Sequence, residues 1–348
     1  MFKKVDNNAN ETYLTKLLQD FIASDSNFTE IYEEPDLSTV SNTYTLSGTL
    51  CVPLTGEKNS SHVQYLVHGI GFDSRYWDFS PGSSEDYSYV AASASAGIAT
   101  FRYDRLGTGL SEKPYDAYNV VQYATDVAIA VKFAQMLRDG SIGRKFSKVV
   151  GVGHSYGSIQ TQAITALAPT ALDAVILTGY SVNASALPIV LTSIVYSTAS
   201  QVSPTDFPAD EFSNAYLVTL APQTFQLNFW YYPYYSQAAF DGAVSIEQPV
   251  TQGVIFTFGT TPPVSSSFTG PVHVVTGGKD WIFCFENCYA VPSGGPYTSV
   301  LDYVQELFPA TNGFSTYIPP NTGHEVNLHY SAPTTYQNML QFAESIFS

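Results

Sequence analysis

Short apolar runs alternate with helix-periodic stretches along most of this 348-residue chain. Residues 44–52, 62–68, 98–103, 148–152, 173–178, 272–276 and 314–318 are brief runs rich in Val, Ile, Leu, Phe and Tyr. Such runs are expected of strands covered on both faces. Between them the period lengthens. Val120, Ala124, Val127, Val131 and Ala134 recur at helical spacing and predict an amphipathic helix over 119–138, ended by Gly140 and Gly143. Further helices are predicted at 12–22, at 87–96 before Gly97, from 156 to about 168, at 298–307 and at 333–347. Strands alternating with helices predict an α/β fold, a mostly parallel central sheet with helices on both faces.

That rhythm fails between Thr178 and Val272. The interval holds prolines, Ser/Thr clusters and an aromatic run over 225–235. A structureless loop of that length is out of place in a compact domain. Residues 180–265 are therefore read as an inserted, mostly helical cap. A polar N-terminal arm occupies 1–40, and the core comprises 41–179 and 266–348. No internal repeat is visible.

Composition narrows the partners. Hydrophobic content is 45%, enough for a packed core, and charged residues make up only 13%. A net charge of −16 argues against nucleic acid and against an anionic membrane surface. No run of 18 apolar residues exists, so no membrane span is expected. The first six residues lack the apolar stretch of a signal peptide. Cys284 and Cys288 are close enough to bridge, leaving Cys51 over. N-x-[ST] sequons at Asn10, Asn27, Asn59 and Asn183 are about as many as chance supplies. From Val149 to Gly278 there is no Lys or Arg, and Lys279 is the single cation beyond that. This half of the chain has almost nothing with which to grip a phosphate or carboxylate.

The sharpest chemical signal is Gly153-His154-Ser155-Tyr156-Gly157, between a predicted strand and a predicted helix. A serine on so sharp a turn exposes its Oγ, and the next backbone N–H lies at a helix N-terminus that stabilises negative charge. The pentapeptide alone is common; its setting carries the argument. Acyl transfer by serine also needs a base, a carboxylate to fix the base's tautomer, and donors for the oxyanion. Gly277-Gly278-Lys279-Asp280 follows one strand, and Thr322-Gly323-His324 follows another. Asp302 and Glu286 are weaker candidates for the acid, since neither directly follows a strand, and His329 competes with His324. His68 and His154 flank the site and are read as supporting hydrogen-bonders. His62 and His273 are read as structural. Phe225, Phe229 and Tyr232 fall at i, i+4 and i+7 and suit cap packing, or in part the walls of an apolar pocket. Zinc chemistry is not expected, because no paired C-x2-C and no H-E-x-x-H spacing occurs.

In this order the motifs resemble those of the α/β-hydrolase superfamily, in its fold-1 branch. Residues 66–71 (Leu66-Val67-His68-Gly69-Ile70-Gly71) are similar to its oxyanion loop. Residues 104–111 resemble its D-x-x-G-x-G-x-S turn, and 153–157 its nucleophile elbow. The match covers roughly 44–345, less well in the cap, and five motifs in order are far more specific than one. The resemblance implies an α/β-hydrolase fold with Ser155 as nucleophile, Asp280 as orienting acid and His324 as base. It implies an oxyanion hole from the backbone N–H groups of Ile70 and Tyr156. Read from the residues themselves, His68, Phe225, Phe229 and Trp230 are the ones expected near the substrate. Serine in place of an elbow aspartate sets the chain apart from the fold's dehalogenases and epoxide hydrolases. Glu325 after the base, where plant hydroxynitrile lyases carry lysine, sets it apart from those. The implied activity is hydrolysis of a neutral small-molecule carboxylic ester without cofactor or metal. Lactone or carbon–carbon hydrolysis with the same triad, and a non-catalytic binding role on the same fold, remain as alternatives. Low lysine, an acidic pI and abundant Ser, Thr and Tyr resemble secreted fungal members, so secretion is expected, with a cytoplasmic location as the alternative. The oligomeric state is open.

Overall fold

A computed structural model describes residues 7–32, 39–183, 185–258 and 264–347. The first residues of the arm, its 33–38 stretch and the 259–263 end of the expected cap lie outside the described residues. The arm forms helices α1 (Glu11–Ile22) and α2 (Phe28–Tyr32). Asn10 caps α1 by accepting the Tyr13 N–H.

The central sheet begins with β1 (Gly48–Cys51), shorter than the 44–52 pattern predicts, and β2 (His62–Val67). Helix α3 (Tyr89–Ser95) leads to β3 (Ala99–Tyr103). The periodic stretch 119–138 divides into α4 (Ala117–Val120) and α5 (Tyr123–Asp139), because Gln122 between them is extended. Then come β4 (Lys148–His154), α6 (Tyr156–Leu167) and β5 (Ala174–Thr178).

The interval after β5 is mostly helical, with three short strands that its sequence does not announce. It contains α7 (Leu187–Ile194), β6 (Tyr196–Thr198), α8 (Ala199–Val202), β7 (Tyr216–Thr219), α9 (Pro222–Phe229), α10 (Gln237–Ser245), β8 (Val250–Thr251) and α11 (Gln252–Thr257). The three strands pair antiparallel in the order β6-β7-β8. Strands of two to four residues are too short to show a period. The chain then returns through β9 (Val272–Val275), α12 (Trp281–Cys284), a 3-10 helix at Val300–Leu307, β10 (Phe314–Tyr317) and α13 (Ala332–Phe347).

The main sheet runs β1-β3-β2-β4-β5-β9-β10. Only β1 is antiparallel to its neighbour; the others pair parallel. Every residue of β5 and β9 is buried, as their largely apolar composition favours. Helices α5 and α6 pack together against the sheet, as do α3 and α13. All parallel strands end at one edge, and in such sheets sites form beyond the carboxyl ends. Here His154, Thr178 and Val275, the last residues of β4, β5 and β9, open onto the loops that carry the chemistry. Among the described residues no helix is long and apolar enough to cross a membrane.

Candidate active site

Ser155 sits between β4 and α6 with φ 53 and ψ −120. A non-glycine residue held there is strained, and such strain persists only where its surroundings enforce it. The enforcement is visible. The Ser155 N–H donates to Thr178 O at 2.8 Å, and its carbonyl starts α6 by accepting the Ser158 N–H at 2.8 Å. Both flanking glycines are sterically obligatory. A Cβ on Gly153 would lie 2.5 Å from Gly157 O, and one on Gly157 would lie 2.1 Å from Val67 O.

Asp280 follows β9 and caps α12, accepting the Phe283 N–H at 2.9 Å on Oδ1. Its Oδ2 accepts the Nδ1–H of His324 at 2.7 Å, and both side chains are fully buried. With Nδ1 so engaged, His324 Nε2 carries the free lone pair. That atom has no hydrogen-bond partner among the described residues. Burial lowers the pKa of His324, but the charges of Asp280 and then Glu325 outweigh it, and the net shift is upward. Neither Asp302 nor Glu286 takes this place. Asp302 instead accepts the N–H groups of Thr298 and Ser299.

His329 is placed elsewhere. Its Nε2 accepts the N–H groups of Gly323 at 3.1 Å and Tyr231 at 3.0 Å, so its Nδ1–H donates to Glu325 O at 2.7 Å. Burial pushes its pKa down to about 4, which suits a neutral ring spent on backbone. It ties the His324 loop to the residues after α9. The same loop gains a second tie where the Glu325 N–H donates to Phe229 O.

The loop after β2 passes close to Ser155. A Cβ on Gly69 would lie 3.1 Å from the Ser155 Cβ. Beneath it is a buried network that sequence patterning does not reveal. Arg105 donates to Asp126 at 3.1 Å and to Gly69 O at 3.1 Å, and its guanidinium lies over the Tyr156 ring. The Tyr156 hydroxyl donates to Asp126 at 3.0 Å. The only available hint is an arginine inside the 104–111 turn, 21 positions before an aspartate on α5. The turn itself is self-tied. Asp104 accepts the Ser74 and Leu110 N–H groups, and a Cβ on Gly109 would fall 2.4 Å from its Oδ2.

A narrow apolar cavity opens on Ser155. It is lined by Ile70, Tyr156 and Ile159, by Leu187, Leu191 and Ile194 of α7, and by Phe229, Phe258 and Phe283. Of the four residues expected beside the substrate, Phe229 alone lines it. Phe225 stacks behind Phe229. Trp230 packs on Tyr235, Phe240 and His329. His68 is fully buried, with Nε2 accepting the Arg105 N–H and Nδ1 donating to Gly69 O. The i+7 position fails because α9 ends at Phe229, which leaves Tyr232 exposed. The hydrophobic helix α7, unremarked in the sequence, supplies one wall. Cys284 and Cys288 are joined in a disulfide at the end of α12, while Cys51 is free and only partly buried.

The family model described as the Alpha/beta hydrolase family matches residues 65–336. No curated protein matches the sequence. Among solved structures, the chain is similar to Mycobacterium tuberculosis BpoC, assigned as a non-heme bromoperoxidase, at 16% identity and TM-score 0.58, covering 90% of this chain and 99% of that one. It is similar to a thermophilic esterase from Thermogutta terrifontis at 12% identity and TM-score 0.56, covering 89% and 100%. It is also similar to a monoacylglycerol lipase from Paleococcus ferrophilus at 14% identity and TM-score 0.55, covering 86% and 99%.

Proposed function

This chain belongs to the alpha/beta hydrolase family, and from that premise we propose that it is a serine hydrolase of neutral, apolar or aromatic carboxylic esters. The observation that carries the reading is the buried Asp280–His324 bond of 2.7 Å, with the strained Ser155 at the mouth of an apolar cavity. The carboxylate holds the imidazole in the tautomer whose Nε2 can take a proton. In the proposed reaction, Ser155 Oγ bonds to the ester carbonyl carbon as its proton passes to His324 Nε2. The backbone N–H groups of Ile70 and Tyr156 receive the oxyanion. His324 returns the proton to the leaving alcohol as the ester C–O bond breaks. Water, deprotonated by the same nitrogen, then releases the acid and restores Ser155.

Residues 180–265 act in this reading as a cap that walls the acyl or alcohol side with α7 and Phe229. Esterase and lipase structures of the same fold support the ester reading. The test is labelling with a fluorophosphonate, followed by ester turnover. One label per chain, lost in Ser155→Ala together with hydrolysis, is the expected result. Labelling that survives Ser155→Ala overturns the assignment.

A further inference from the structure

Around His324, three buried Lewis bases face one another. His154, His324 and Glu325 each offer an atom within 4.8 Å of the other two, and each is about 1% exposed. The state of both rings follows from their other bonds. The Thr178 hydroxyl lies 3.0 Å from both Gly153 O and His154 Nδ1, and when it donates to the carbonyl it accepts from Nδ1. In that arrangement His154 Nε2 carries a lone pair. His324 Nε2 does too, because Nδ1–H is given to Asp280. Yet His154 Nε2 lies 3.0 Å from Glu325 Oε2. A lone pair facing a carboxylate in a dry interior is repulsive unless a cation intervenes. A proton held between them is one cation that relieves this, and a metal ion shared with His324 is the other. All three atoms are without a hydrogen-bond partner among the described residues.

We propose that His154, His324 and Glu325 form a binding site for a borderline divalent metal such as Zn2+, whose occupation switches the hydrolase off. Two imidazoles and one carboxylate are a donor set that zinc accepts, leaving a fourth position open. Ligand atoms around tetrahedral zinc stand about 3.3 Å apart, given bonds of about 2.0–2.2 Å. The 3.0 Å pair is near that spacing, and modest side-chain rotation closes the rest. Each imidazole already has the outer partner that zinc-bound histidines use, Asp280 for one and Thr178 for the other. A metal on His324 Nε2 occupies the lone pair that takes the serine proton, so hydrolysis stops without any change of fold. The ligands lie at 154, 324 and 325, a spacing that matches no metal motif, so the sequence concealed the site.

The site's existence is independent of the serine mechanism, so binding is measured on Ser155→Ala by calorimetry with Zn2+ alone. The expected result is one ion per chain, with affinity falling at least about tenfold in the added Glu325→Gln and His154→Gln variants. Should one variant fail to fold, the other carries the comparison. On the unsubstituted protein, Zn2+ should abolish ester turnover and a chelator should restore it. Absence of binding, or equal affinity in both variants, overturns the site, and leaves a proton as the occupant or the acidic surface as the binder. Undiminished turnover with zinc bound overturns the switch. Failed turnover without zinc instead overturns the hydrolase reading and leaves the binding result standing.

Discussion

At the scale of single residues, the decisive facts are which polar atoms are buried and what they meet. Asp280→Asn keeps the size of the side chain but loses the charge that holds His324 in its tautomer. It should lower kcat by about 10^3–10^4-fold. Because Asp280 and Glu325 raise the pKa of His324, turnover should fall on the acid side along a limb lying above the ordinary histidine value of 6.5. The kcat/KM–pH profile reads both effects. A limb at or below that value would contradict the stated balance of burial and charge. Arg105 gives a different test, since it and Asp126 are only 2% and 1% exposed. Arg105→Met alone strands a buried carboxylate and should cost about 3–5 kcal/mol in denaturant unfolding. Arg105→Met with Asp126→Leu should recover most of that loss. If the double variant is as unstable as the single one, the ion pair is not what the network depends on.

At the scale of elements, the turns that join them hold two measurable features. Glu247 follows α10 and accepts both the N–H and the hydroxyl of Thr219 on β7. Burial, opposed by those bonds, pushes its pKa up from 4.5 to about 7. The folded state then holds a proton that the unfolded state releases between those values. Its contribution to stability is therefore highest below about pH 4.5 and falls as pH rises through about 7. The Tm of Glu247→Gln should match the native protein near pH 4.5 and exceed it at pH 8. A constant difference would refute the shift. The Cys284–Cys288 disulfide closes a loop of only a few residues at the end of α12. Chain entropy assigns it about 2 kcal/mol, or about 3 °C in Tm for a chain of this size. Scanning calorimetry of Cys284→Ser with Cys288→Ser checks that figure.

At the scale of the whole molecule, the distribution of charge governs what can enter. The net charge is −16, and four cations in or beside loops at strand ends are engaged. Arg75 is paired with Asp73, Arg102 with Asp78 and Arg105 with Asp126, while Lys279 lies over the Tyr231 ring. A carboxylate brought into the apolar cavity would lose water and gain no partner. The prediction is a clear kcat/KM preference for a neutral ester over its matched carboxylated analogue. The gap should narrow at high salt as the long-range repulsion is screened. Equal turnover of the charged member would identify one of these cations as a clamp and overturn the argument.

The sequence by itself determined the alternation of strands and helices and the placing of the elbow, acid and base loops after their strands. Both depend on local periodicity and on turn residues, and Gly153, Ser155 and Gly157 announce a turn that only small residues permit. Only the tertiary structure decided what depends on atoms far apart in the chain. It set His324 against Asp280 and His329 against backbone N–H groups, a difference made only by what surrounds each ring. It buried His68 and turned Trp230 away from the cavity. It revealed the small antiparallel sheet, whose strands are too short to carry a period. It joined Arg105 to Asp126, and it brought His154 beside Glu325 across 171 positions. A burial pattern is written into neighbouring residues, whereas a meeting of charges is settled by the packing of the entire chain.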